Sequence, residues 1–296
     1  MTSRFAFIGL WLRRAAVIAA MLIGLFPIFW LVSTSFKPYD EWQHWPPVWV
    51  SSSPTLQNYR IVFAPQAAQT FAAKQKGSID YKVSASAWKA FRDSAIISVC
   101  ATLLSIIFGT LAAYSIVRYR TGGRNYAFQF LMVRMFPPIA VVVPMLVFFS
   151  LLRLIDTFPG LILAYTAFTL PFSIWMIRSF IEEVPEELEG AAMIYGMRPL
   201  QAFLRVTLPL IRGGVLATAL FVFILNWSEF LFALTLTTGG IVTVTLQVAN
   251  YVSASSGKLY GVQAAMGTIS TIPVIIFGYL IQRHLVRGLT FGAIKR

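Results

Sequence analysis

The chain has 296 residues, a mean hydropathy of +0.72 and only 12% charged residues, where soluble domains carry about 25%, so a water-soluble globular domain is excluded. Its net charge of +13 does not point to nucleic acid, because the positive residues are spread over loops between oily segments, where topogenesis and anionic lipid account for them. The single cysteine, Cys100, rules out an internal disulfide and a cysteine metal cluster.

A membrane span needs about 20 mostly apolar residues. After a short leader, residues 1–14, comes a charge-free run at 15–36. Its 22 residues exceed the apolar core of a cleaved signal, which is about 7–15 residues, so it reads as a retained helix. A long loop follows at 38–92 and contains EWQHWPPVWV. Its Trp42, Trp45 and Trp49 read either as an interfacial belt or as a contact for an external partner. The second span, 94–117, ends at RYRTGGR, where Gly122 and Gly123 mark a tight turn.

The third apolar segment, 126–152, carries one charge, Arg134, and the run MFPPIAVVVP. Pro137, Pro138 and Pro144 predict kinks, since each removes a backbone donor and crowds the preceding turn. If this segment is re-entrant, the count falls from six spans to five. The fourth span is 157–177, the fifth is 213–236 with the single charge Glu229, and the sixth is 259–282. The expected fold is therefore all-α, with six transmembrane helices. Six spans put both termini on one side. That side collects 14 Lys and Arg against nine on the other, so both termini and the 182–212 segment are expected in the cytoplasm.

The 182–212 segment opens with EEVPEELE, which holds five of the chain's 11 carboxylates. Pro185 suits the start of a helix, and Glu186 and Glu187 favour the positive end of its dipole. Gly196 predicts a stop after about three turns. Pro199 begins a second helix, PLQAFLRVT, and Pro209 is expected to break it as the chain returns to the membrane. Gly190, Ala191 and Ala192 let a partner's surface come close, and the glutamates offer contacts to a basic partner. The plainer alternative is a solvated charged helix.

The run LEGAAMIYGMRPLQAFLRVTLPL resembles the EAA loop of the permease subunits of bacterial ABC importers. Ala191 and Ala192 match the two alanines, Gly196 the glycine, and Val206, Leu208 and Pro209 the ending. Two positions depart from the pattern: Gly190 stands where the motif has glutamate, and Tyr195 where an acidic residue is common. The resemblance then shifts a carboxylate contact to Glu189 or Glu187. TLQNYRIVF, FRDSAIISVCATLLSIIFGTLAAYSIVRY, FILNWSEFLFALTL and RHLVRGLTFGAIKR resemble the carbohydrate branch, in particular its smaller maltose-type permease. The likeness runs from about residue 10 to the end of the sequence and leaves 64–88 unplaced.

The resemblance implies one transmembrane domain over 1–296, in a bacterial inner membrane. The domain would work beside a second, different permease, two cytoplasmic ATPase subunits and an external solute-binding protein, carrying a sugar or sugar-like solute. The ATPase-contacting set is then Glu187, Glu189, Gly190, Ala191, Ala192, Gly196 and Pro209. No G-x-x-x-x-G-K-[ST] loop occurs, so ATP and Mg are expected on the partner ATPase, with no cofactor on this chain. The tail, 287–296, resembles one that reaches the ATPase dimer; binding to anionic lipid is its alternative.

Charges inside spans are functional candidates, which singles out Arg134 and Glu229. With Asn226 three residues before Glu229, and Trp227 beside it, they read either as lining a substrate path or as locking helix packing. An enzyme is not expected. His44 and His284 lie far apart in sequence, with no catalytic group or metal-ligand spacing beside either. An ion-coupled carrier is the competing class, but the inverted repeats common there are not evident.

Overall fold

The computed structural model describes residues 2–64, 85–123, 126–135, 137–253 and 257–291. Most of the unplaced 64–88 insertion and the end of the tail, 292–296, lie outside the described residues. The chain divides into two compact units, Met1–Ala87 with Val248–Thr271, and Trp88–Gln247 with Ile272–Arg296.

In the first unit, α1 (Thr2–Ser35) runs through the leader without a break. The most apolar window of its stretch Leu10–Ser35 is not buried within the chain, as suits a helix facing lipid, whereas Thr34 and Ser35 at its end are buried. Beyond a turn at Tyr39–Glu41 comes α2 (Gln57–Phe63). The loop between them folds back onto the end of α1. Trp49 packs against Phe26 and Trp30 with ring centroids 5.8 and 5.7 Å apart. The Lys37 ammonium sits 3.8 Å over the Trp30 ring, a cation–π contact sealed from solvent. The Lys37 carbonyl accepts from Trp42 Nε1 and Asn58 Nδ2, both at 2.9 Å. Trp42 therefore serves internal packing; Trp49 packs on α1 with one face but stays 56% exposed, and Trp45 is 84% exposed.

The second unit contains most of α3 (Ala87–Arg118), then α4 (Tyr126–Arg134), α5 (Pro138–Leu151), α6 (Phe158–Glu182), α7 (Glu186–Ile194) and α8 (Pro199–Ala202). A π turn, Phe203–Thr207, leads into α9 (Leu208–Trp227), followed by α10 (Leu231–Leu236) and α11 (Val244–Asn250). A two-residue strand pair, Val252–Ser253 with Gly257–Lys258, precedes α12 (Tyr260–Phe291) in the chain.

Close helix packing in this unit rests on small residues, as it does wherever lipid supplies no hydrophobic drive between helices. Gly109 of α3 lies where a Cβ would stand 2.7 Å from Ser173 Cβ of α6, and a Cβ on Gly214 of α9 would enter the Phe180 ring. Ser105 Oγ and Thr169 Oγ1 share a hydrogen bond at 2.8 Å between α3 and α6. One apolar cluster includes Ile97, Phe149, Leu161, Tyr165 and Phe232.

Among the described residues, five helices are long and apolar enough to cross a membrane: Leu10–Ser35, Ala87–Arg118, Phe158–Glu182, Pro199–Trp227 and Tyr260–Leu280. The third expected span is broken rather than kinked. α4 stops at Arg134, and α5 restarts at Pro138 and runs 14 residues to Leu151. Adjacent Pro137 and Pro138 supply no N–H, and Pro137 is extended at φ −58°, ψ 122°, so the helical ladder cannot pass. The fifth expected span differs as well. Its helix begins at Pro199 and ends at Trp227, and residues 228–230 separate it from α10.

Pro209 does not break the helix, contrary to expectation. The Leu208 N–H reaches back to the Phe203 carbonyl. This π turn widens the ladder just where Pro209 would otherwise crowd the carbonyl four residues earlier.

Candidate functional site

α7 starts at Glu186, with Pro185 at its N-cap position and Glu186, Glu187 and Glu189 in its first turn, near the positive end of the dipole. It ends in a Schellman motif. Gly196 N–H donates to the Met193 carbonyl at 2.9 Å, and Met197 N–H to the Ala192 carbonyl at 3.2 Å. Gly196 has φ +90°, a left-handed conformation that a Cβ opposes. The expected glycine elbow is therefore a defined turn with its own hydrogen bonds. α8 follows at once, and Arg198 N–H donates to Gln201 Oε1 at 3.0 Å.

The glutamates of this segment, alike in sequence, part company in space. Glu186 and Glu187 are exposed, whereas Glu189 is the one buried residue of α7. Its Oε2 accepts from the Tyr114 hydroxyl at 2.7 Å. Its Oε1 accepts from Arg118 Nε at 2.8 Å and from the Thr207 hydroxyl. Arg118 Nη2 also donates to the Val184 carbonyl at 2.9 Å. Sequence reading placed Glu189 among the partner-contacting residues, and this geometry corrects that placement. A carboxylate that takes donors from three sides and is 4% exposed is not presented to a partner. Arg118, Tyr114 and Thr207 went unnoticed because nothing local marks them: Arg118 reads as one more topogenic charge, and Thr207 as filler before Leu208.

Burial alone would raise the Glu189 carboxyl, but the hydrogen bonds from Thr207, Tyr114 and Arg118 outweigh it and hold the group below its ordinary value. A depressed folded value makes the contribution to stability fully present above the unfolded value and lost as pH falls through the folded one. The melting temperature of purified wild type should therefore exceed that of Glu189→Gln by a constant margin from neutral pH down to 4.5, the ordinary value. The margin should close only below that. A gap that closed near neutrality would mean that the carboxylate is not stabilised by these donors.

The outer surface of the loop is apolar. Ile194 is 86% and Tyr195 89% exposed, with Leu188, Met193 and Leu200 also open. Gly190 is half-buried, Ala191 exposed and Ala192 half-buried, and Pro209 is exposed at the start of α9. No atom lies within 4 Å of a Cβ built on Gly190, and glycine within a helix costs about 1 kcal/mol relative to alanine. Gly190→Glu is accordingly expected to leave yield and melting temperature at or above wild type. A loss of yield in the isolated chain would contradict this open space.

The four substrate-path candidates do not form one lining. Asn226 is 2% exposed and donates from Nδ2 to Thr102 Oγ1 of α3 at 3.1 Å. Trp227 is buried between Phe223, stacked at 5.7 Å, and Phe91 at 6.0 Å. Both fill the packing between helices of this chain. Glu229 is not on the helical face of Asn226, because α9 ends at Trp227. Its carboxylate instead accepts from Phe232 N–H at 3.0 and 3.1 Å and from Ala233 N–H at 3.3 Å, capping α10. Arg134 ends α4, and its side chain lies outside the described residues.

Several long apolar helices, with one punctuated helix–elbow–helix loop, define a multi-pass membrane protein. The family described as binding-protein-dependent transport system inner membrane component matches residues 105–291, and the chain belongs to that family. It is a multi-pass inner-membrane protein.

Among its relatives, the trehalose transport system permease protein SugB of Mycobacterium tuberculosis is 34% identical over 291 residues, covering 96% of this chain and 98% of that protein. The trehalose/maltose transport system permease protein MalG of Thermococcus litoralis is 33% identical, covering 96% and 97%. The sulfoquinovosyl glycerol transport system permease protein SmoH of Agrobacterium fabrum is 30% identical, covering 98% and 95%. A crystal structure of a bacterial ABC transporter involved in the import of the acidic polysaccharide alginate shares the fold. It has a TM-score of 0.69 and 20% identity, covering 95% of this chain and 98% of that one.

Proposed function

We propose that this chain is a permease subunit of an ATP-driven, binding-protein-dependent importer of a sugar or sugar-like solute, and that the α7–α8 elbow docks on a separate ATPase. The observation that carries this is the surface of the elbow. A loop joining membrane helices projects Ile194 and Tyr195 almost bare, beside Leu188, Met193 and Leu200. Exposed apolar patches of this kind mark interaction sites. Glu187 stands at their edge for a basic residue of the partner. Gly190, Ala191 and Ala192 keep the surface low, and Gly196 and Pro209 hold the two limbs.

In this reading α4 and α5 together make one broken crossing, so that six crossings put both termini in the cytoplasm. The complex contains a second permease, two ATPase subunits that bind ATP and Mg, and an external solute-binding protein. The chain itself binds no nucleotide. The relatives named for trehalose, maltose and sulfoquinovosyl glycerol support a sugar-like cargo.

Two measurements test the proposal. Co-expressed with its partner permease and ATPase, the tagged chain should retain the ATPase through detergent purification; a chain that never retains one would sink the docking assignment. A thermal-shift screen of the cognate solute-binding protein should find a mono- or oligosaccharide, and exclusive stabilisation by a non-carbohydrate would overturn the cargo class.

A further inference from the structure

The Glu189 cluster joins parts of the chain that are distant in sequence. Glu189 belongs to α7. Tyr114 and Arg118, one turn apart, belong to the end of α3, and Thr207 lies in the π turn that feeds α9. The Arg118 guanidinium, 8% exposed, spans two of these parts, since it donates both to Glu189 and to the Val184 carbonyl just before α7. The Tyr114 ring packs against Phe203 at 4.5 Å, again in the π turn. Ala113, Ile177, Ile181 and Ile211 close the cluster with apolar side chains. The node is largely buried, and it sits at the foot of the loop, while the exposed tip at Ile194 and Tyr195 lies at the other end of α7.

Chain connectivity ties α7 only to α6 and, through the elbow, to α9. α3 is separated from it by 71 residues; it packs on α6 and α9 through Ser105 and Thr102, and it meets α7 itself through Arg118 and Tyr114, with Arg118 also 3.9 Å from Glu186. A buried carboxylate cannot leave these donors without stranding both itself and Arg118, so the node holds or releases as a unit. Displacement of α7 then carries α3 along and does not dissipate in the loop.

We propose that Glu189, Arg118, Tyr114 and Thr207 form a latch that makes α3 follow the coupling helix, with Glu189 and Arg118 as positioning residues for transport. This rests on the docking assignment above and goes beyond it. The docking surface receives the motion, and the latch decides which membrane helix moves.

The test uses the whole reconstituted complex and reads two quantities for each variant: ATPase retained on purification, and solute taken up per ATP hydrolysed. Wild type must first retain the ATPase; failure there strikes the docking assignment and is seen before any variant is made. Glu189→Gln keeps the shape and removes the charge. It is expected to retain the ATPase while uptake per ATP falls about tenfold, in the range of typical coupling free energies. The paired change Tyr114→Phe with Thr207→Val removes two donors with little change of volume and should lower the same ratio by a smaller factor.

Arg118→Lys keeps the charge but loses the planar fork that serves Glu189 and Val184 together, so it should not rescue the ratio. An uptake-to-ATP ratio at wild-type level in Glu189→Gln overturns the proposal. If that variant fails to assemble, the paired change decides by itself, and a wild-type ratio there overturns the proposal equally.

Discussion

Gly196→Pro is expected to abolish uptake-coupled ATP hydrolysis while leaving the chain inserted in the membrane at normal yield. Gly196 stands at φ +90°, and proline is locked near −65°, so the elbow cannot keep its shape. The change also deletes the N–H that closes the turn onto Met193 and pushes Tyr195, now the residue before proline, away from its near-helical backbone at φ −77°, ψ 12°. Insertion should survive because the affected turn lies between helices and adds nothing to the apolar spans on either side. Gly196→Ala is the graded companion. No atom crowds its Cβ, so its cost is the left-handed backbone alone, about 1–2 kcal/mol. It should retain part of the activity. Sugar uptake at wild-type rate by Gly196→Pro would remove the elbow from any account of coupling.

Replacing Glu229 with leucine should lower the yield of folded chain more than any change at Arg134. The carboxylate accepts the N–H groups of Phe232 and Ala233, and nearby the Glu229 carbonyl accepts from the Thr245 hydroxyl at 2.6 Å. Leucine leaves two helix-initiating donors without partners in a membrane segment, at about 1–3 kcal/mol each. Glu229→Gln keeps an acceptor and should recover most of the yield. The pairing alternative predicts a different pattern, in which Glu229→Leu with Arg134→Leu is milder than either single change. Capping predicts that the double variant is no better than Glu229→Leu alone. Yield and melting temperature of these four variants separate the two outcomes. A double variant restored to wild-type yield would establish Arg134 as the partner.

The expected kink at Pro137 and Pro138 marked the right place but not its size. Two adjacent residues without N–H remove consecutive rungs, and the segment separates into α4 and α5. Pro209 looked equally disruptive in the sequence, yet its helix continues, because a π turn reorganises the ladder ahead of it. Pro137 and Pro138 break their helix, whereas Pro209 is absorbed because the Leu208 N–H reaches back to the Phe203 carbonyl.

Residue order alone determined the membrane class, the first, second, fourth and last apolar helices and the helix–elbow–helix loop. Each follows from a short-range cause: hydropathy summed over about 20 residues, or a glycine and prolines that act on their own backbone. Only tertiary structure decided what the loop's charges do. Glu187 and Glu189 are two residues apart and chemically the same, yet α7 turns the first to solvent and the second toward Tyr114 and Arg118 of α3 and Thr207 of the π turn. Likewise Asn226, read as a candidate for a solute path, is spent on Thr102, 124 residues away. A hydrogen bond is fixed by which groups meet in space, and the meeting of α3, α7 and α9 is set by packing across the whole unit.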